Sequence, residues 1–423
     1  MTFVIETFQN YIAQVRRLAA HRSYKRLLAG SIVSGLGDRI GFIAFLAAVS
    51  SHSNDVLAVG GITISEMLPG VVALPFVSMV VDRFDKRRLL LIADIARAIL
   101  YILAAFAGDL WVFYALGFTS TCFTLLFEPS RQALEPHYIP DGELTQANGM
   151  RMGLLSLVML VGPAVGGLLS ASVGFQSAFL VNAASFLFSA WMVTDLEEVK
   201  FTPAEKEETL MKEIAGGLRI VWRTPELKFL FVQMAAFAFV IGIQFPLIFV
   251  WVRENLGGGP AEAGWLFSAI GIGGIIGGAI LASLEKEKKP FDAKTAAGRR
   301  NIALLSIADG IVVLFFAPIT HFAPAVGVFA AFGLIGTSFH VGISTAITEL
   351  SPVAFRGRIF SLYSALQGPL IVLSIALGAP LAREYGAKDV FFVSGGLEII
   401  VGIIAIAFAG KIISRPEIEE AVA

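Results

Sequence analysis

Apolar positions along this chain show neither the alternation of a half-buried strand nor the single stripe of a surface helix. They gather into segments of about 20 residues or more, the length of helix that crosses the hydrocarbon of a bilayer. Twelve such segments are predicted, at 27–50, 56–81, 89–107, 110–135, 144–171, 174–194, 226–253, 260–284, 299–319, 322–351, 359–384 and 387–412. Pro and Gly interrupt many of them, as spanning helices tolerate. The stretches between are short and polar, apart from one long interval at 195–225.

The pattern repeats. Residues 87–190 recur without a gap 212 positions later. Arg87-Arg88 answers to Arg299-Arg300, Phe127 to Phe339, Pro140 to Pro352, Gly166 to Gly378, Gly174 to Gly386 and Phe179 to Phe391. One offset that holds through four successive apolar segments implies two similar halves. The expected fold is therefore an all-α membrane protein of twelve transmembrane helices in two pseudo-symmetric six-helix bundles. Repeats of this kind belong to transporters, whose substrate path lies at the repeat interface. The expected divisions are an amphipathic cytoplasmic segment at 1–26, a first bundle at 27–194, a linker at 195–225, a second bundle at 226–412 and a tail at 413–423.

Composition agrees. The 423 residues are 56% hydrophobic, with a mean hydropathy of +0.77. Only 15% are charged, against roughly 25% in a soluble domain. A net charge of −1 gives no sign of a nucleic-acid partner. The single cysteine, Cys122, excludes an internal disulfide and a cysteine-based metal site. Neither a Walker A loop, nor HExxH, nor a Ser-His-Asp arrangement is present, so the chain is not expected to be an enzyme or to need ATP, a cofactor or a metal. The first 26 residues lack a secretory signal.

Basic residues set the orientation. With both termini in the cytoplasm, 26 of 32 Lys and Arg fall on the inner side, three (Arg253, Arg383 and Lys388) on the outer side, and three (Arg39, Arg97 and Arg151) within spans. Two segments are expected to lie flat on the inner surface. One carries Phe8, Tyr11, Ile12, Val15 and Leu18 on one face; the other carries Leu210, Ile214, Leu218 and Val221.

Several spans bear polar stripes, which should face protein or water rather than lipid. Helix 1 aligns Ser31, Ser34, Gly35 and Asp38. Helix 4 aligns Thr121, Thr124, Glu128, Arg131 and Gln132. Helix 7 holds Gln233 and Gln244, and helix 10 holds Thr337, His340, Ser344 and Thr348. An ionised group at mid-bilayer costs about 2.5–3.5 kcal/mol on insertion scales, so Asp38, Glu66, Asp94, Arg97, Glu128, Asp309 and Glu398 must be paired, protonated or wetted. Asp94 and Arg97, one turn apart, suit a structural ion pair. Asp309 and Glu398 stay ambiguous. Asp38 and Glu128 are the proton-coupling candidates, because an apolar setting can bring a carboxyl into the range where it loads and releases a proton. His340, which titrates near neutrality and which the offset pairs with Glu128, is a third. Arg39 can partner Glu66 or Asp38. Ser34, Glu66, Thr124, Arg131, Arg151, Gln244, Thr337 and Ser344 are the substrate-cavity candidates. Arg131 and Arg151 can attract an anionic substrate, or pair with Glu128 and Glu135.

The stretches Gly35–Asp38 (GLGD), Asp82–Arg88 (DRFDKRR), Phe127–Asn148, Val161–Gly167 (VGPAVGG) and Phe355–Leu366 carry a resemblance. The chain resembles the major facilitator superfamily, most of all its bacterial macrolide-efflux and siderophore-export branch, with some similarity to lysophospholipid transporters. It departs from the usual pattern in having Ser78 where a glycine is customary and in lacking an Asp-Arg pair before Arg299. The resemblance implies a rocker-switch carrier with its cavity lined by helices 1, 4, 7 and 10. It implies a latch in which Asp82, within Asp82, Arg83, Arg87 and Arg88, meets the start of helix 11 near Arg356 and Arg358. The Gly-Pro motif of helix 5 (Gly162, Pro163, Gly166 and Gly167) resembles that of proton-linked antiporters; it can equally serve close helix packing. The expectation is a monomeric, proton-coupled exporter of an amphipathic small molecule in a bacterial cytoplasmic membrane, in contact with its lipids. A lysophospholipid flippase, or a sensor or scaffold that does not transport, is the alternative.

Overall fold

The computed structural model describes residues 20–140, 142–199, 210–288 and 290–412. The expected inner-surface segment around Phe8–Leu18, the start of the linker and the tail at 413–423 lie outside them. Among the described residues all regular structure is helical. The helices are α1 Arg22–His52, α2 Val56–Val72, α3 Leu74–Arg83, α4 Lys86–Ala105, α5 Leu110–Leu134, α6 Leu144–Ser172, α7 Phe175–Thr194, α8 Leu210–Arg223, α9 Pro225–Leu256, α10 Pro260–Lys288, α11 Ala296–Phe316, α12 Phe322–Leu350, α13 Arg356–Tyr385 and α14 Ala387–Ala409.

Nine of these are long and apolar enough to span a membrane. The other three expected spans are helical but fall short for stated reasons. The segment at 56–81 is two helices rather than one, broken at Ala73 ahead of Pro75, which has no N–H to continue the ladder. The 20-residue α4 carries Arg88, Asp94 and Arg97, and the 21-residue α11 carries Arg299, Arg300 and Asp309. Charge, not length, keeps those two from reading as simple spans.

The chain forms two compact units, one of residues 1–52 and 72–205, the other of 53–71 and 206–423. The expected first bundle, 27–194, included residues 53–71. Here that stretch packs with the second unit: a Cβ on Gly60 would stand 2.8 Å from that of Ala379, and Asp55 pairs with Arg383 at 3.4 Å.

Small residues explain how the helices of each unit approach. In the first unit α1 meets α6 and α7. A Cβ on Gly166 would stand 2.8 Å from the Ile40 carbonyl oxygen, and one on Gly41 would stand 2.5 Å from the Asn182 amide nitrogen. In the second unit α10 crosses α12, with Gly277 at 2.7 Å from the Leu334 carbonyl oxygen by the same construction. Without a hydrophobic drive between helices in lipid, such close contacts supply the association. The motif glycines Gly162 and Gly166 thus lie in the α1–α6 contact, where Gly162 takes the stem of Arg39.

The repeat has a backbone cause. Gly174 begins α7 at φ +98°, and its counterpart Gly386 begins α14 at φ +89°. Both turns need the left-handed region that glycine enters freely. On the linker helix α8, two residues of the expected apolar face point inward: Val221 is buried and Ile214 packs on the core beside Ile220, with Gly217 against the backbone of Arg358, while Leu218 is 47% exposed. Gly217 has no side chain to hold α8 off α13, so the helix turns that side inward.

Gly166→Val should lower stability by about 1–3 kcal/mol, the usual cost of overpacking a closed contact. Gly396→Ala, at a position with nothing within 4 Å, should be neutral. Thermal unfolding of the purified variants in detergent checks this; equal melting temperatures for both would remove the packing role given to Gly166.

Candidate functional site

The polar groups of the first unit form two networks. In the first, Arg97 on α4 is 1% exposed and donates to Asp94 at 2.5 Å. It also reaches Asp38 on α1 at 3.5 Å. Its guanidinium lies 4.1 Å from the ring centre of Phe186 on α7 and 4.7 Å from that of Phe127 on α5. An arginine suits this place, because its flat, weakly hydrated head can bond a carboxylate in its plane and stack on rings above and below. Two carboxylates share one arginine, and Asp38, with its side chain 35% exposed, is the outer and less tightly held. Arg39 packs its stem on Gly162 and stands near enough to Asp38 to interact with its charge.

The second network is balanced. Glu128 on α5 accepts from Arg131 at 2.6 and 3.0 Å and from Gln132 at 2.9 Å. Arg131 also bonds Glu135. Arg151 on α6 lies 3.7 Å from Glu128 and 3.9 Å from Glu135. Two arginines and two glutamates thus meet at the C-terminal end of α5, so both candidate cavity arginines are paired. The side chain of Glu128 remains 46% exposed while Arg131 is buried. Tyr24, absent from the sequence-based candidates, crosses from α1 to donate to the Ala147 carbonyl at 3.3 Å. Its phenol at the polar end of a span was the available signal. Ser34 and Thr124 bond carbonyls of their own helices.

In the second unit His340 on α12 bonds the Tyr363 hydroxyl on α13 at 3.2 Å. Tyr363, inside the FRGRIFSLYSAL stretch, was not singled out either. Gln244 on α9 donates to Ser394 on α14 at 3.2 Å, which turns it into the packed interior, where it is 1% exposed. Thr337 lies against Gly274 of α10. Ser344 bonds the Val341 carbonyl. Glu66 lies on α2, within the second unit.

The basic loop residues do more than fix topology. Arg87 donates to the carbonyls of Val193 (3.2 Å) and Thr194 at the end of α7, and stands 3.8 Å from Glu198. Its repeat partner Arg299 donates to Ala409 (2.9 Å) at the end of α14, to Ile412 (3.0 Å) and to Ala293 (2.6 Å). Each arginine satisfies the free carbonyls of a helix C-terminus and complements its negative end. Asp85 caps α4 through the Arg88 amide at 2.8 Å. Arg356 donates to the Ser351 carbonyl at 3.3 Å, and Arg358 lies 5.5 Å from the Phe355 ring centre.

Two helical units with repeat-related turns and clamps, and charge networks inside their spans, make a transporter scaffold. The family model described as Major Facilitator Superfamily matches residues 27–297. The chain belongs to the major facilitator superfamily. It is 29% identical over 394 residues to the uncharacterised MFS-type transporter YfiS of Bacillus subtilis, covering 90% of this chain and 91% of that one. It is 24% identical to the multidrug efflux pump Tap of Mycolicibacterium fortuitum, covering 90% and 94%, and 24% identical to macrolide efflux protein A of Streptococcus pyogenes, covering 89% and 93%. Among solved structures, a bacterial homologue of the iron transporter ferroportin aligns with a TM-score of 0.74 at 14% identity, covering 92% and 98%. The nucleoside transporter NupG aligns with a TM-score of 0.72 at 12% identity, covering 91% and 98%. At those identities the structural likeness establishes the fold. This major facilitator protein is a multi-pass membrane transporter and not an enzyme.

Arg97→Met should cost about 3–5 kcal/mol, because it leaves the buried Asp94 carboxylate without its cation. Adding Asp94→Asn should recover much of that loss. Unfolding measured for both variants decides it: if the double variant is no more stable than the single, the Arg97–Asp94 bond is not what holds this site.

Proposed function

We propose that this transporter exports amphipathic or lipophilic small molecules from the bacterial cytoplasm and is driven by protons. The observation that carries the coupling is the shared arginine of the first unit. Arg97 bonds Asp94 closely and touches Asp38 at the edge of ion-pair distance. Asp38 and Asp94 both draw on Arg97, and Asp38 is the partly exposed member that can gain and lose a proton. When Asp38 is ionised it competes with Asp94 for the arginine; when protonated it releases the arginine to Asp94. A proton arriving at Asp38 thus changes how α1 is held to α4, the kind of bistable contact that alternating access needs. Glu128 is the second site of coupling. Its carboxylate already accepts three hydrogen bonds, so protonating it loosens Arg131 and Arg151 and frees them for a polar or anionic part of the substrate.

Export and substrate class are supported by the relatives. Tap and macrolide efflux protein A match along almost the whole chain. The excess of Lys and Arg in alternate loops supports a cytoplasmic-membrane location with both termini inside.

Movement of ethidium out of cells, or into everted vesicles, under an imposed pH gradient tests the reading. Wild type should export in proportion to the gradient. Asp38→Asn should fall to background with folding intact, since the amide keeps shape and removes the titrating group. Glu128→Gln should weaken export and its dependence on pH. Gradient-independent export by wild type would sink proton coupling. No ethidium movement, with transfer of a fluorescent lysophospholipid between leaflets, would replace drug export by lipid flipping.

A further inference from the structure

The offset of 212 residues carries Arg97 on α4 to Asp309 on α11, and Phe186 on α7 to Glu398 on α14. In the first unit that pair is a guanidinium over a ring. In the second unit it is two carboxyls. Asp309 is 0% exposed and Glu398 is 2% exposed, and they face each other within hydrogen-bonding reach. The helices crowd together there: a Cβ on Gly310 would stand 2.5 Å from the Gly395 carbonyl oxygen and 3.0 Å from the Glu398 Cβ. The counterpart of Asp94, which pairs with Arg97, is Ser306, so the second unit does not repeat that ion pair.

All four carboxyl oxygens lack a donor at close hydrogen-bond distance among the described residues, and the buried Gln244 reaches toward Glu398 from α9. The Gln244 amide nitrogen is directed to Ser394. Basic groups on the surrounding helices are engaged elsewhere. Arg299 on α11 binds helix-end carbonyls, His340 on α12 bonds Tyr363, Arg383 on α13 pairs with Asp55, and Arg253 on α9 bonds Asn54. Four acceptor oxygens from two helices therefore meet where close donors are missing among the described residues. Two facing acceptors repel; with a hydrogen on one of them, the same contact becomes a strong bond. Two bare carboxylates here would each be stripped of water with nothing nearby to replace it.

We propose that Asp309 and Glu398 form a proton-binding site: an acid pair that holds at least one proton between its carboxyls, with Gln244 beside it. The site lies apart from Asp38 and Glu128, in the α9–α11–α14 packing of the second unit. It does not depend on the transported substrate or on the direction of transport. A pair of this kind titrates as a unit, with two steps that belong to neither residue alone.

Infrared spectroscopy of the full-length protein in lipid bilayers tests it, through the carbonyl stretch of protonated carboxyls. Wild type at neutral pH should show such a band, shifted in deuterated buffer. Asp309→Asn and Glu398→Gln should each remove or shift it. The double variant should lack it and should remain folded, because two neutral amides satisfy each other where two acids did. A band unchanged in a folded Asp309→Asn or Glu398→Gln protein overturns the proposal. So does a wild-type band that vanishes when sodium replaces choline in the buffer, which would make the pair a cation site. If neither single variant folds, the wild type alone decides: absence of the protonated band at neutral pH rules the shared proton out.

Discussion

A charge carried into hydrocarbon must be met by a partner from within the protein, and this constraint organises both units. In the first, Arg97 is met by two carboxylates and two aromatic faces from four different helices. Those partners fix the depth and rotation of α4 against α1, α5 and α7. Where the constraint is met at a surface, as for Glu128 between two arginines, the group stays half open. Burial and exposure of charge therefore separate what holds a unit together from what is free to respond to solvent.

The duplicated chain shows how the same scaffold tolerates opposite solutions. The turn glycines Gly174 and Gly386, and the clamping arginines Arg87 and Arg299, perform the same backbone task in both halves. The side chains between them are free to diverge, because helix ends and turns already set the frame. Arg97 and Asp309 occupy one frame position with opposite sign. A cation can use the faces of rings; an acid cannot, so it turns to another acid and a proton.

Much of this was legible in the sequence. Segment length and apolarity marked the spans, and the offset marked the duplication, because both are backbone-scale properties with few alternatives. The break at Ala73 has no mark of its own in the sequence: Pro75 looks like Pro163 and Pro246, which lie within unbroken helices. On α8 the apolar stripe marks Ile214 and Val221, which pack inward, but not Gly217, which counts for nothing in such a stripe yet governs how close the helix comes. At the candidate site, Asp94–Arg97 followed from spacing along one helix. Its extension to Asp38, Phe127 and Phe186 depends on rotations of separate helices, which no local pattern encodes. Tyr24 and Tyr363 were missed because a tyrosine in a span looks like any other aromatic until its hydroxyl finds a partner.

The way Arg97 is held has a consequence for synthesis. As α4 leaves the ribosome, Asp94 is one turn away and Asp38 has already been made. Phe186 lies on α7, the last helix of the first unit to be made. Until α7 arrives, one face of the guanidinium is uncovered, and α4 can rest only where lipid, water and neighbouring helices still exchange. The first unit therefore completes its assembly from its last helix backwards, with α7 sealing a site that α1, α4 and α5 have left open.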